Sequence, residues 1–246
     1  MTLQGLSRLA LAAALTLAAS SPLAAQGGYL FHRPDARFTV RGGYDHANAN
    51  SDLFKQVTTD LSINKGDFSS LTAGAEVSLP VTSRFEVGVD VGYSGVRKGS
   101  DFRHFEDNNN LPIEQTTTFQ RVPVMANVRF FLTPPGRSIG TLAWIPSKVT
   151  PWVSGGVGTM WYRFRQEGDF VDFNTLNVFS SYYESAAWTP TAQGSAGVDF
   201  SLSPLMALRT AVQGIWAKGP LTHDFVGFDK IDLSSVNATI GLSFRL

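Results

Sequence analysis

Cysteine is absent from the 246-residue chain, so neither a disulfide framework nor a thiolate metal site can be built from it. An excess of charge is absent too: 20 basic residues stand against 20 acidic ones, and so balanced a chain has no electrostatic means of gripping a nucleic acid. Histidine is confined to His32, His46, His104 and His223. Asp45-His46 and His223-Asp224 fall near the bases of connecting loops, where solvated positions account for them without catalysis. No serine stands in a lipase or deacylase setting, and Asp101, Glu106, Asp107 and Asp169 fit the spacing of no defined cation loop. An enzyme is not expected, and neither is a cofactor. Beyond the first 25 residues there is no apolar run long enough for a membrane helix, which needs roughly 20 residues.

The N-terminus has the form of a secretory signal. Arg8 is followed by the Leu- and Ala-rich run from Leu9 to Ala19, then by Ser20, Ser21, Pro22 and the small pair Ala24-Ala25. A positive start, a short apolar run and a small-residue end are the three parts of a cleavable signal peptide. Residues 1–25 are therefore expected to be removed on export, leaving one domain over 26–246. That domain carries 19 basic and 20 acidic residues.

The C-terminal residues alternate with period two. Val236, Ala238, Ile240, Leu242, Phe244 and Leu246 form one apolar face; Asn237, Thr239, Gly241, Ser243 and Arg245 form the other. Eleven residues of such alternation match a strand crossing a bilayer at a tilt. The pattern repeats along the chain. Phe38, Val40 and Tyr44 alternate with Thr39, Arg41 and Asp45, and Leu71 to Leu79 alternate around Glu76. Phe85 to Tyr93 follow suit around Glu86 and Asp90, and Val122 to Phe130 around Arg121 and Arg129. In the last of these Pro123 cannot donate to a ladder, which predicts a bulge or a missing bond. A Gly-rich fifth segment from Trp152, with Val153, Val157 and Trp161 outward, is followed by segments around Asp199 and Arg209. With the C-terminal strand the count is eight, and the fold class is all-β: an eight-stranded antiparallel transmembrane β-barrel.

The connections alternate in length, as outer-membrane barrels do. Residues 47–69, 95–117, 165–186 and 217–231 are expected as long outer loops, and 80–83 and 203–204 as tight turns. The intermediate stretch 133–150 either extends its strands or folds as a flap. Traced up and down, Phe38, Phe85, Phe130, Trp152, Phe200 and Phe244 fall at the turn end, and Tyr44, Phe68, Tyr93, Trp161, Trp188 and Trp216 at the loop end. Two aromatic girdles around an aliphatic band are what membrane interfaces favour.

The stretches Arg121–Phe131, Pro151-Trp-Val-Ser-Gly-Gly-Val-Gly158 and Gly241-Leu-Ser-Phe-Arg-Leu246 resemble the fourth, fifth and closing strands of the small outer-membrane barrels grouped around OmpA, OmpX and OmpW. The resemblance implies insertion by the barrel-assembly machinery through the closing signal Ile240, Leu242, Phe244 and Leu246, although Leu246 stands where that signal usually ends in Phe. Nothing after the eighth strand resembles the periplasmic domain of the OmpA type, so peptidoglycan anchoring is not expected. The OmpW likeness implies an alternative, porin-like role as a narrow channel for small or hydrophobic molecules.

Parity turns Arg41, Asp45, Glu76, Glu86, Asp90, Arg121, Arg129, Asp199, Arg209 and Arg245 inward, five acids and five bases. Eight strands leave only enough bore for side chains, and buried charges must pair. The expectation is a polar lumen plugged by ion pairs. The barrel would be a monomer in the cell outer membrane, in contact with lipid and lipopolysaccharide, with a structural or surface-interaction role. Loop aromatics such as Phe54, Phe102, Phe105, Phe170, Phe173, Tyr182 and Tyr183 are expected to pack on the rim or to form a contact surface.

Overall fold

The computed structural model describes residues 29–106, 111–140, 142–172, 175 and 177–246. The expected signal peptide, its cut site, Asp107 and Phe173 lie outside the described residues. Within them, eight strands pair antiparallel in a closed ring: β1 (Arg37–Ala47), β2 (Ser70–Pro80), β3 (Phe85–Glu106), β4 (Pro112–Phe131), β7 (Val149–Val171), β8 (Val178–Ser201), β9 (Met206–Gly219) and β11 (Ser235–Arg245). The remaining strands are short. β5 (Gly136–Ile139) and β6 (Ala143–Pro146) form a separate hairpin, and β10 (Ile231–Asp232) adds to β9. β11 meets β1 along its whole length, from Arg37 opposite Arg245 to Ala47 opposite Ser235. Closure leaves the ring without an open edge, which lipid would not tolerate.

The ring follows from the alternation. Val40, Val77, Val87, Val89, Val91, Val128, Val157, Val212 and Ile240 are exposed on the outer wall, whereas Thr39, Glu76, Asp90, Arg129, Asp199 and Arg209 are buried within. An apolar belt of this extent on a protein surface is a membrane-facing surface. Val89 lies halfway between Phe85 at one girdle and Tyr93 at the other. Val89→Arg should therefore cost about 2–4 kcal/mol and reduce the heat-modifiable, folded band on gels, while Val89→Leu keeps it. Equal yields of the two variants would contradict the facing.

Phe85 and Phe130 pair at the turn end with ring centroids 4.9 Å apart, and Tyr44, Tyr93, Trp188 and Trp216 are exposed at the loop end. Two aromatics expected in the girdles are elsewhere. Trp152 points into the bore and is 3% exposed: Val153 and Val157 face outward, so parity turns 152 inward. Phe68 is 1% exposed and packs inside the barrel mouth, because the segment carrying it folds back over the opening.

The loops differ from expectation as well. Most of 95–117 and 165–186 is strand: β3 and β7 run for 22 and 23 residues, about twice the 9–11 that a crossing needs. The hairpins β3–β4 and β7–β8 stand out beyond the belt. Gly168, at φ +135°, sits where β7 parts from β4, a conformation that side chains other than hydrogen rarely adopt. Stretch 133–150 folds as a flap, β5–β6, whose Trp144 is buried and exchanges backbone hydrogen bonds with Leu30 at 2.9 and 2.7 Å. At Pro123 the β3–β4 ladder lapses for two residues and resumes in the same register, Val91 opposite Val124 and Ser94 opposite Arg121. It is a missing bond and not a bulge.

The long β1–β2 connection carries one helix, α1 (Asp52–Asp60), and a single 3-10 turn, Lys65–Phe68. α1 buries Leu53, Phe54 and Val57 and leaves the Lys55–Asp52 pair, 2.8 Å, in solvent. Asp67 accepts from the backbone N–H of Asn64 at 2.8 Å and lies 3.1 Å from the Lys98 ammonium. These contacts, the Asn64 hydrogen bond first, hold its carboxyl below the usual range, so this clasp is complete near neutral pH and is lost as acid protonates Asp67.

Candidate functional site in the bore and at the loop end

The bore is filled in tiers. Nearest the turns, Asp199 is a hub. It accepts from Arg37 at 2.6 Å, from Arg209 Nε and Nη2 at 2.8 Å each, and from the indole N–H of Trp152 at 2.9 Å. Arg37 also reaches Glu86 at 3.2 Å. Arg129 donates to Glu76 at 2.6 Å and to Glu86 at 3.3 Å, and Arg209 lies 3.4 Å from Glu76. The guanidinium carbons of Arg129 and Arg209 sit 4.5 and 5.1 Å from the Trp152 ring centroid. An indole between two cations is a favourable cation–π site once water is excluded.

A second tier pairs Arg41 with Asp90 and chains Gln213, Gln193 and Asn127 by side-chain hydrogen bonds. A third joins Arg121 to Asp45 and to the carbonyl of Leu233, 3.1 Å. The residual voids are small. One of about 30 Å³ borders Glu76, Asp90, Arg129 and Arg209, and one of about 10 Å³ lies beside Arg41 and Arg121. Each has room for about one water.

Of the inward residues read from the sequence, Arg41, Asp45, Glu76, Glu86, Asp90, Arg121, Arg129, Asp199 and Arg209 all lie in these clusters. Arg245 does not share their geometry. It donates to the carbonyls of Ser203 and Pro204 at 3.0 and 3.1 Å and to Ser201 Oγ at 2.6 Å, tying the last strand to a tight turn. Arg37 and Trp152 are partners that the sequence reading missed. Arg37 shares parity with Thr39 and Arg41, and extending the alternation by one step would have found it.

Above the charged tiers the inward positions turn apolar: Phe119, Met160, Tyr162, Phe164 and Ile215. α1 lowers Phe54, fully buried, onto this floor. Its ring meets Phe68 at 4.6 Å, Phe119 at 5.4 Å and Phe164 at 5.8 Å, each edge to face. Leu61, Ile63, Phe225, Ile231 and Leu233 complete a cap across the mouth. The hydrogen bonds Ser62 N–H to Asp101 O, 2.8 Å, and Arg103 Nε to Leu61 O, 2.7 Å, fasten the connection to β3. Of the loop aromatics, Phe54 is core, Phe102 and Tyr183 are half-buried against it, and Tyr182 is 61% exposed. Over the cap lies a cavity of about 290 Å³ lined by Leu53, Val57, Phe102, Phe170, Tyr183 and Phe228, with Asp60 and Asp224 among its polar groups.

The histidine pairs separate. Asp45 faces inward to Arg121, whereas His46 faces outward, its Nδ1 3.1 Å from Ser69 Oγ. Asp224 accepts from the Glu184 N–H at 3.0 Å; the side chains of His104 and His223 lie outside the described residues. Among the described residues no group of three or more His, Asp or Glu is placed to hold a metal ion. Ile240, Leu242, Phe244 and Leu246 line the outer face of β11 and the residue beyond it.

No family model matches the chain, and no curated protein matches its sequence. Solved structures similar to it include Neisserial surface protein A, at 12% identity and a TM-score of 0.44 over 85% of this chain and 97% of that one. A major outer membrane protein of Thermus thermophilus is similar at 10% identity and a TM-score of 0.46, over 86% and 99%. Ail, the attachment invasion locus protein of Yersinia pestis, is similar at 13% identity and a TM-score of 0.40, over 86% and 99%. At these values the similarities carry no argument about activity. The fold itself, a closed ring of eight antiparallel strands with a lipid-facing belt, is that of a small outer-membrane β-barrel.

Proposed function

We propose that this protein is a closed, non-enzymatic outer-membrane barrel that acts through its loop end in a structural or surface-interaction role. The observation that carries this reading is the filled bore: buried Arg–carboxylate clusters below, an aromatic cap above, and voids of only about 10 and 30 Å³ between them. Ion channels line their paths with one sign of charge or with ordered dipoles; here the two signs interleave and neutralise each other. The chain would be exported with its N-terminal segment removed and inserted by the barrel-assembly machinery through the outer face of β11. It would then stand as a monomer among outer-membrane lipid and lipopolysaccharide.

A second reading is a narrow path for small apolar molecules, and the cavity of about 290 Å³ in the mouth favours it. Single-channel recording of the refolded mature protein separates the two. A silent bilayer, with folding verified by gel mobility, is expected. Reproducible discrete current steps would sink the closed barrel and move transport ahead.

A further inference from the structure

The outer wall beyond the aromatic girdle is ordered in rows. Cross-strand pairing sets Val122 beside Trp161, and Trp161 beside Trp188. The next outward row is Gly95, Gln120, Arg163 and Ala186, and the one after it Arg97, Thr118, Arg165 and Glu184. Farther out the wall turns acidic, with Glu167, Asp101 and Glu114. Arg163 is thus two residues, about 7 Å of strand, past Trp161, and Arg165 about twice that. With the tryptophans at the interface, this is headgroup height. Beside the short Thr118, and with the Tyr93 hydroxyl lying over Gly95, a recess of about 390 Å³ opens to the outside between the three arginines.

The arginines are partly engaged. Glu167 takes Arg97 and Arg165 at 2.7 Å each, and Glu184 takes Arg163 at 2.6 Å and Arg165 at 3.8 Å. Three cations against two anions leave one positive charge. The Nε–H groups of Arg163 and Arg165 are buried without a hydrogen-bond partner, so it is the Nη ends of these two side chains, about one-third exposed, and the 70% exposed Arg97 side chain that face the recess. Elsewhere around the loop end, the exposed residues of β1, β2 and β9 are Tyr44, His46, Leu71, Trp216 and Lys218, which offer no comparable set of donors. Planar guanidinium forks are suited to phosphate oxygens.

We propose that the recess between Arg97, Arg163 and Arg165 binds a phosphate of a phosphorylated glycolipid headgroup in the outer leaflet. The inference rests on the reading that the loop end faces that leaflet, and it assigns a place to the lipid contact. The three guanidinium groups supply donors, Gln120 and Thr118 offer polar contacts to a sugar, and Trp161 and Trp188 pack along the acyl chains. The acidic row above disfavours a second phosphate farther out.

The test uses the mature, folded chain in detergent and native mass spectrometry with diphosphoryl lipid A as probe. Wild type should retain one lipid per barrel. The triple variant Arg97→Gln, Arg163→Gln, Arg165→Gln should bind about ten-fold or more weakly, since each charge-assisted bond lost is worth roughly a decade in affinity. Lys148→Gln, at the turn end, should bind as wild type does. If the triple variant fails to fold, Arg97→Gln alone, at an exposed position, should still weaken binding several-fold. Dephosphorylated lipid A should bind as poorly to wild type as diphosphoryl lipid A does to the variant. Inorganic phosphate at millimolar concentration should not displace the lipid; displacement would reassign the recess to free anions. Equal retention of lipid A by wild type and variant would overturn the site. That failure beside a silent bilayer leaves the closed barrel standing, whereas current steps strike the closed barrel alone.

Discussion

Asp199→Ala should destabilise the barrel by about 3–5 kcal/mol, the range for removing one partner of a buried ionic cluster. The carboxylate serves four donors on three neighbours, Arg37, Arg209 and Trp152. Alanine returns none of those interactions and leaves Arg37 and Arg209 with only Glu86 and Glu76, at 3.2 and 3.4 Å, in a bore whose voids hold about one water each. Coulombic attraction at these separations only offsets the desolvation each ion has already undergone, so an orphaned charge costs more than the intact pair contributes. The urea midpoint of the barrel in detergent, followed by tryptophan fluorescence, measures the loss. Asp52→Ala breaks a solvent-exposed pair in α1, where water already screens the charges, and should leave the midpoint close to that of wild type. A double change, Asp199→Leu with Arg209→Leu, should recover part of the loss, because it removes opposite charges together. If Asp199→Ala unfolds no earlier than Asp52→Ala, the hub does not bear on stability.

Phe54→Ala should loosen the cap while the ring of strands holds. A fully buried Phe reduced to Ala typically costs about 3–5 kcal/mol in lost contacts and cavity formation. Here the three aromatic partners, Phe68, Phe119 and Phe164, would face a void. Since α1 is joined to the barrel by this packing and by few hydrogen bonds, the expected result is local opening and not global unfolding. Amide exchange over residues 53–68 should accelerate by roughly two to four orders of magnitude, the equivalent of that energy, with β1, β2 and β11 unchanged. Exchange that stays at the wild-type rate would mean that Phe54 does not hold the cap. Because charge still fills the tiers below, the variant should remain silent in a bilayer.

How far the chain could be read depended on whether two environments flank the segment in question. Across the belt a residue faces either lipid or bore. Val87, Val89 and Val91 against Glu86, Asp90 and Gly88 therefore announce a strand, its span and its facing with no further information. Eight such segments imply eight strands, and tight turns at 81–84 and 202–205 fall between them as composition implies. Above the belt both faces of a strand meet water or loop, and nothing requires alternation. Residues 98–106 and 165–171 continue β3 and β7 without showing a pattern. Trp152 stands at the height of the girdle, but the outward Val153 and Val157 fix its parity, and it turns into the bore.

The same division separates charge from charge pairing. Local alternation turns Arg37, Arg209 and Asp199 inward, since a one-residue shift would set each in lipid. That Arg37 meets Asp199, 162 positions away, depends on the stagger at which the ring closes, a property of all eight strands jointly and of no segment. The cap is of this second kind. Leu53, Phe54 and Val57 give α1 an apolar face within nine residues, too short to be stable alone, and it is the barrel mouth that supplies the surface against which this face is buried. Facing is decided by the solvent on either side of each residue and is written along the chain; partnership is decided by closure and exists only once the ring has formed.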